Sequence, residues 1–381
     1  MIKQPETTIT ITTACTSEEK EAIYHFRYQI YVEELGKPLK SGKHGQEKIY
    51  DPLDDRSLLM YAQCNGEIVG TLRLTIGLPD CFSADLQSIF LMDQFSSFCN
   101  EKRSLCLSTK LAIKPEFRSS QLLYLIMNKA YYIYRESGVQ FNFGGCNPYL
   151  LPLYEQMGFR RFTGNFVDPG YGMLIPLVMS IEDIEHFRQV RSPFYRIARR
   201  WKNDNTASVK FQETFSEELR THINSQLITK DQIWQYTYEK LRRSPLTTIS
   251  LLNGLTQEEA SSLLHFGAMF RCTNGDCIAT IGDVSNEVFV LLSGALVAEG
   301  SGARLIRPGE CFGSAGFADT HTATETFTVL GDAELFVVPR QGLDKFLLGH
   351  PEAKNKIISN IKTLNATTGR PAFNATLGGT L

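Results

Sequence analysis

Cys106-Leu-Ser-Thr-Lys-Leu-Ala-Ile113 and Lys114-Pro-Glu-Phe-Arg118 lead into an apolar-rich segment, Gln121 to Ser137. Val139 to Phe143 comes next, then Asn147-Pro-Tyr-Leu-Leu-Pro-Leu-Tyr154-Glu-Gln-Met-Gly158-Phe159. Alternation over Cys106–Ile113 predicts a strand. The i, i+3, i+4 spacing of Leu122, Leu125, Ile126 and Lys129-Ala130 predicts a helix, and Gly138 is a helix stop. A second short strand and a second helix follow. Strand, helix, strand, helix in that order predicts an α/β unit.

Upstream, Thr8 to Thr13 alternates Ile and Thr as a first strand. Ser17-Glu-Glu opens a helix, and Ile23, Phe26, Arg27, Ile30 and Tyr31 share one of its faces. A basic polar loop runs from Lys37 to Lys48. Strands at Leu58–Cys64 and Ile68–Ile76 flank Asn65-Gly66, a two-residue hairpin signal.

Downstream, Tyr171 to Met179 predicts a last strand, with a helix from Ser180. Arg188, Arg191, Arg196, Arg199, Arg200 and Lys202 interleave with Phe194, Tyr195, Ile197 and Trp201. This reads as a helix with one cationic face, suited to an acidic carrier protein or an anionic membrane surface, or merely solvated. Asn203–Ser208 reads as a linker, and Glu213–Arg243 as a helical connector that Pro245 ends. From Leu251 the pattern changes to a short capped helix and many short strands with Gly turns. That pattern predicts a β-roll or jelly-roll barrel. A helix over Leu343–Leu364 and a flexible tail complete the chain. The expected boundaries are 1–202, 203–248, 249–365 and 366–381.

The 381 residues are 43% hydrophobic with a formal net charge of -2, an ordinary globular composition without the basic excess of a nucleic-acid binder. Nine scattered Cys, without a CxxC pair or neighbouring His at zinc spacing, predict neither disulfides nor a metal site and favour a reducing cytosol. The longest apolar run, Met173–Met179, is too short to span a bilayer. Cys106 and Cys146 read as buried small apolar residues rather than nucleophiles.

Four segments carry a resemblance: Phe26-Arg27-Tyr28-Gln29-Ile30-Tyr31-Val32-Glu33-Glu34, Asp51-Pro-Leu-Asp54, Gly70-Thr-Leu-Arg73-Leu74, and Tyr154 to Gly158-Phe159. Their order resembles the GNAT acyltransferase superfamily, in the branch of N-acyl amino acid and acyl-homoserine-lactone synthases. The resemblance covers the first half of the chain. It implies a mixed-sheet α/β fold and transfer of a fatty acyl group from a thioester to a small amine. Arg27, Asp51, Asp54 and Arg73 are then the polar residues around the acceptor, with Lys110 on the central strand. A carboxylate can take the proton that an ammonium must lose before attack. An Arg can hold an acceptor carboxylate through two parallel hydrogen bonds. The same residues could instead pair to hold the polar loop on the sheet. The lactone-synthase branch carries a Glu three residues before the strand cation, and here that position is Leu107, so lactone chemistry is not implied.

On the donor side, Tyr154 is the candidate acid for the leaving thiolate. The N–H groups of Leu111 and Ile113 are candidates for the thioester oxyanion. Arg118, Ser119, Ser120 and Asn147 complete the expected donor site. The superfamily's Gly-containing pyrophosphate loop here reads Arg118-Ser-Ser-Gln121-Leu-Leu123. Without those glycines a coenzyme A pyrophosphate approaches the backbone less easily, whereas the single phosphate of a carrier-protein phosphopantetheine still fits. The two serines would serve equally as helix caps.

In the second half, Gly275-Asp276, Gly282-Asp283, Val288–Gly294 and Gly309-Glu310-Cys-Phe312-Gly313 resemble a cyclic nucleotide-binding domain. That family's cassette holds ribose with a Glu after Phe-Gly and the cyclic phosphate with an Arg about ten residues later. Here Phe312-Gly313 precedes Ser314, and Glu325-Thr326 occupies the Arg segment, lengthened by Thr320–Thr324. A carboxylate at a phosphate site repels, so cyclic AMP and GMP are not expected to bind. The family resemblance implies a homodimer through the terminal helix. No helix-turn-helix follows it. The readings are therefore an acyltransferase with a regulatory or assembly module, a cyclic-nucleotide sensor with a regulated output, or a scaffold without chemistry.

Overall fold

A computed structural model describes residues 9–37, 47–100, 103–118, 120–314 and 322–367. It divides into two compact units, residues 1–147 with 153–222, and residues 148–152 with 223–381.

The first unit opens with β1 (Ile9–Thr13) and α1 (Ser17–Tyr28). Thr16 and Glu19 close a reciprocal capping box at the start of α1. The helix widens into a π-helical turn, Gln29–Glu34. β2 (Leu58–Cys64), β3 (Glu67–Gly77), α2 (Ala84–Ile89), β4 (Ser104–Ile113), α3 (Leu122–Glu136), β5 (Val139–Cys146), α4 (Leu151–Met157), β6 (Arg160–Arg161), β7 (Phe166–Asp168) and β8 (Gly172–Ser180) follow. The sheet order is β1-β2-β3-β4-β5-β8-β6, with β7 on β8. All pairs are antiparallel except β4 with β5. This is the mixed-sheet α/β unit the sequence predicts.

One face of the sheet is covered by α3, whose Leu122, Ile126, Ala130, Tyr131 and Tyr134 are fully buried. An aromatic core gathers Phe95, Phe141, Phe143, Phe162, Phe211 and Phe215. Two of these belong to the stretch expected as linker and connector. After α5 (Ile184–Gln189) and α6 (Tyr195–Ala198), that stretch begins instead with α7 (Thr206–Thr214) and α8 (Ser216–Thr221), which belong to this unit. The cationic run is therefore not one amphipathic helix. It breaks at Arg191, which adopts φ 55°, and Phe194 between the two short helices is buried.

The second unit contains α9 (Lys230–Leu241), α10 (Pro245–Thr248), α11 (Gln257–Leu264), β9 (Ala268–Cys272), β10 (Cys277–Ala279), β11 (Glu287–Glu299), β12 (Ala303–Ile306), β13 (Cys311–Phe312), β14 (Thr326–Pro339), α12 (Arg340–Gly349) and α13 (Lys354–Thr367). Arg242 in the left-handed conformation ends α9, while Pro245 begins α10 rather than ending the connector. Pro351 splits the expected terminal helix into α12 and α13. The six strands form one antiparallel jelly-roll-like sheet around the long partners β11 and β14. Val288, Val290, Leu292, Phe336 and Val338 face the helices. Phe289, Leu296, Ala298, Ile306, Phe312, Phe327 and Val329 are buried without joining that cluster, and they line the concave side.

Candidate active site

β4 carries the irregularity that organises the site. Thr71 pairs with Ala112 and Arg73 with Thr109, so Lys110 and Leu111 together oppose Leu72. This is a β-bulge. Lys110 takes it up at φ 56°, a left-handed conformation costing a non-glycine residue about 1–3 kcal/mol. On the other side, the parallel pairing of β4 with β5 stops at Leu107 and Phe143, although both strands continue. A gap opens between them from Ser108 onward.

The backbone along this gap has a defined polarity. The Lys114 N–H donates to Val69 on β3. Successive peptide groups alternate, so Ile113 and Leu111 point toward the gap. Their carbonyls are already engaged: Leu111 accepts from the Tyr31 hydroxyl at 2.8 Å, and Ile113 from Arg118 Nε at 3.0 Å. The edge thus offers donors rather than acceptors.

Beside the bulge lies a charged cluster. Asp54 is wholly buried; its Oδ1 accepts from Arg27 Nη1 at 2.8 Å and lies 3.2 Å from Arg73 Nη1, while its Oδ2 accepts from the Asp51 N–H at 3.0 Å. Arg73 also donates to Asp51 Oδ1 at 2.6 Å and to Thr109 Oγ1 at 2.8 Å. Asp51 Oδ2 lies 3.8 Å from Lys110 Nζ, and its side chain is 38% exposed. The two carboxylates therefore differ: Asp54 holds Arg27 and Arg73 in place, and Asp51 faces outward. Burial pushes the Asp51 carboxyl up, but Arg73 and Lys110 together outweigh that and hold it below its ordinary range. Burial pulls Lys110 down against the opposing field of Asp51. Arg27 is wholly buried, and its Nε and Nη2 have no hydrogen-bond partner among the described residues.

Two tyrosines complete this cluster, and neither was expected as a site residue. Tyr171 accepts from Lys110 Nζ at 3.1 Å, and its ring meets Tyr31 edge-on at 5.2 Å. Burial drives its phenol far above the ordinary range. Asn147, expected on the donor side, instead donates to the carbonyls of Tyr171 and Met173, fixing the turn that carries this tyrosine. The same burial pushes Tyr31 up to about 12.

The expected phosphate loop is otherwise engaged. Arg118 forms a two-bond pair with Glu34, both at 2.6 Å. The Ser120 hydroxyl donates to the Phe117 carbonyl and accepts from the Leu122 N–H just ahead of α3, whose N-cap is Gln121. Ser119 lies outside the described residues. Tyr154 is half-buried with its ring 5.3 Å from Phe159, and its field reaches Tyr134. Tyr134 belongs to a closed ring at the mouth of the gap, in which Ser108 donates to Asn142, Asn142 to Tyr134 and Tyr134 to Ser108. Cys106 is fully buried and pushed up to about 12, and Cys146 is also driven up by burial. Neither suits nucleophilic chemistry. Among the described residues no group of His, Cys, Asp and Glu could hold a metal, and no helix is long and apolar enough to cross a membrane.

In the second unit, Phe312 stacks on Phe289 at 5.0 Å and on Phe327 at 4.3 Å. Gly313 adopts φ 88° where a Cβ would meet the Glu287 carbonyl at 2.5 Å. The Ser314 N–H donates to Ser285. Thr326 accepts from the Ile281 N–H, and Glu325 is paired with Arg304.

Residues 22–180 match the family model "N-acyl amino acid synthase FeeM", and residues 270–350 match the cyclic nucleotide-binding domain. The chain joins an N-acyltransferase domain to a cyclic nucleotide-binding domain. Solved structures similar to parts of it include FeeM, an N-acyl amino acid synthase from uncultured soil microbes, at 12% identity over 50% of this chain and 99% of that one, TM-score 0.39. Escherichia coli ElaA is 14% identical over 45% and 100%, TM-score 0.32. A cyclic nucleotide-binding domain from Methylobacillus flagellatus is 18% identical over 35% and 79%, TM-score 0.30. A search of the curated proteins found no match. As an acyltransferase, the first domain takes its acyl group from an acyl thioester.

Proposed function

We propose that the first unit transfers a fatty acyl group from a carrier-protein phosphopantetheine thioester to the amine of a small amino acid. The observation that carries this reading is the Asp51–Lys110–Tyr171 cluster, set at a strained bulge beside the opening between β4 and β5. Three cations, Arg27, Arg73 and Lys110, face two carboxylates there. That excess of positive charge favours an acceptor that brings its own carboxylate. The thioester lies in the opening, with its carbonyl oxygen toward the N–H groups of Leu111 and Ile113. Asp51, held ionised by its neighbours, receives the acceptor's ammonium and takes one proton, directly or through water. The amine nitrogen then bonds to the carbonyl carbon, the carbon–sulfur bond breaks as Tyr154 protonates the departing thiolate, and the second proton of the nitrogen returns through water to the Tyr154 phenolate, leaving a neutral amide.

The closed donor loop supports a carrier protein over coenzyme A. Arg118 and Ser120 are committed to intramolecular bonds, and no glycines relieve the approach of a pyrophosphate. Arg191, Arg196, Arg199, Arg200 and Lys202 remain exposed and offer an acidic carrier a cationic surface. The second unit serves as a regulatory or assembly module. The test is mass spectrometry of lipids from cells producing the protein or its Tyr154→Phe variant. A new N-acyl amino acid in the first and far less in the second supports the reading. No new N-acyl product counts against it.

A further inference from the structure

The second unit carries an ion pair, Arg304 with Glu325, whose carboxylate stands in the segment where the family resemblance implies a phosphate-holding arginine. Arg304 pairs with Ala298 across β12 and β11, and Ala298 pairs with Phe327 on β14. Ala298 and Phe327 are buried on the concave side, so the register directs Arg304 there too. Glu325 lies two residues before Phe327 and is itself 6% exposed. Its two oxygens take Arg304 Nε at 3.0 Å and Nη2 at 2.9 Å. This two-bond geometry is the one a guanidinium offers to a phosphate or a carboxylate.

Two further features hold the carboxylate there. Gly300, in the β11–β12 turn, lies so close that a Cβ would sit 3.0 Å from Glu325 Cγ and 3.0 Å from the Thr324 carbonyl. The interior nearby is filled by the stacked rings of Phe289, Phe312 and Phe327. The family's two ligand-holding side chains are replaced by Ser314 and Glu325, so the residues present do not fit a cyclic nucleotide.

We infer that Glu325 is the resident anion of this concave face: it saturates Arg304, so the second unit holds its form without a cyclic nucleotide, and removing the Glu325 charge uncovers an anion site. A nucleotide phosphate could reach Arg304 only by breaking a largely buried two-bond pair and leaving the Glu325 carboxylate unpaired beside it, which both burial and repulsion oppose.

The test is isothermal titration of the full chain with cyclic AMP, cyclic GMP and inorganic phosphate. The wild-type protein should show no saturable binding up to about 1 mM of any of them. Glu325→Gln should bind phosphate or a cyclic nucleotide at least about tenfold more tightly than wild type. Adding Arg304→Gln should abolish that gain. Micromolar binding of either nucleotide by the wild type overturns the inference. So does a folded Glu325→Gln protein with no gain, or a gain that survives loss of Arg304. Should Glu325→Gln fail to fold, Glu325→Ser, which also removes the charge, replaces it under the same criteria, and the wild-type titration stands regardless.

Discussion

Asp54→Asn should destabilise the first unit far more than Asp51→Asn, although the two residues are three positions apart in one motif. Asp54 is wholly buried and lies against both Arg27, also wholly buried, and Arg73, whose side chain is 5% exposed. Asn would remove the charge that balances them and turn an amide toward two guanidinium groups. Breaking a buried pair in this way costs roughly 3–5 kcal/mol. For a unit of this size each kcal/mol shifts Tm by about 2–4 °C, which gives a drop of about 6–20 °C. Asp51 is part-exposed, and Asn would keep its cap on the Leu53 N–H. Its removal should cost at most about 1 kcal/mol, while acyl transfer falls at least about tenfold. Calorimetry of both variants, beside turnover measured below their melting temperatures, decides. Equal stability losses, or Asp54→Asn melting like wild type, would refute the division of roles.

Four further outcomes follow from the same structure. Tyr154→Phe should lower turnover by about tenfold or more with unchanged melting, as expected for loss of a general acid; a wild-type rate removes it from the mechanism. Tyr171→Phe should weaken the acceptor's apparent binding more than it slows turnover, because Lys110 loses its 3.1 Å partner; steady-state kinetics separates the two. Transfer from a carrier-borne thioester should exceed that from coenzyme A and weaken with salt, since screening shortens from about 10 Å at 0.1 M to about 3 Å at 1 M; equal, salt-insensitive rates would contradict the carrier assignment. Burial, then Arg160, pushes His186 down to about 3 against the opposing pull of Asp183. The unfolded chain then binds a proton below about pH 6.5 that the folded one refuses, so stability is full above that pH and falls on acidification, by roughly 1 kcal/mol per pH unit below it. Chemical denaturation between pH 7 and 5 should show this slope, and His186→Gln should flatten it.

Local pattern carried most of the fold. Alternation located β4, apolar spacing located α3, and Asn65-Gly66 located the β2–β3 hairpin, because each depends only on neighbours along the chain. What escaped depends on distant partners. Nothing local tells that Asp54 binds Arg27 while Asp51 stays exposed, or that Arg118 is spent on Glu34. Tyr171 sits in a Pro-Gly-Tyr-Gly turn that signals only a loop, and Asn147 positions it from 24 residues away. The bulge at Lys110 was hidden because a left-handed residue is usually announced by Gly or Asn. Two misreadings were avoidable in part: Pro193 interrupts the cationic run, and Phe211 and Phe215 lie four apart, as one helical face would place them. The Arg304–Glu325 pair was hidden as well, because its partners lie 21 residues apart.

The proposed reaction joins an acyl thioester to a small amine in the first unit. The most direct measurement mixes the purified chain with a fatty acyl carrier protein and a pool of amino acids, and follows both free thiol and N-acyl product by mass spectrometry. One N-acyl amino acid should form per thiol released, with both signals reduced together in Tyr154→Phe and Asp51→Asn. Thiol release without an N-acyl product, or no release from any acyl donor by a folded protein, would contradict it.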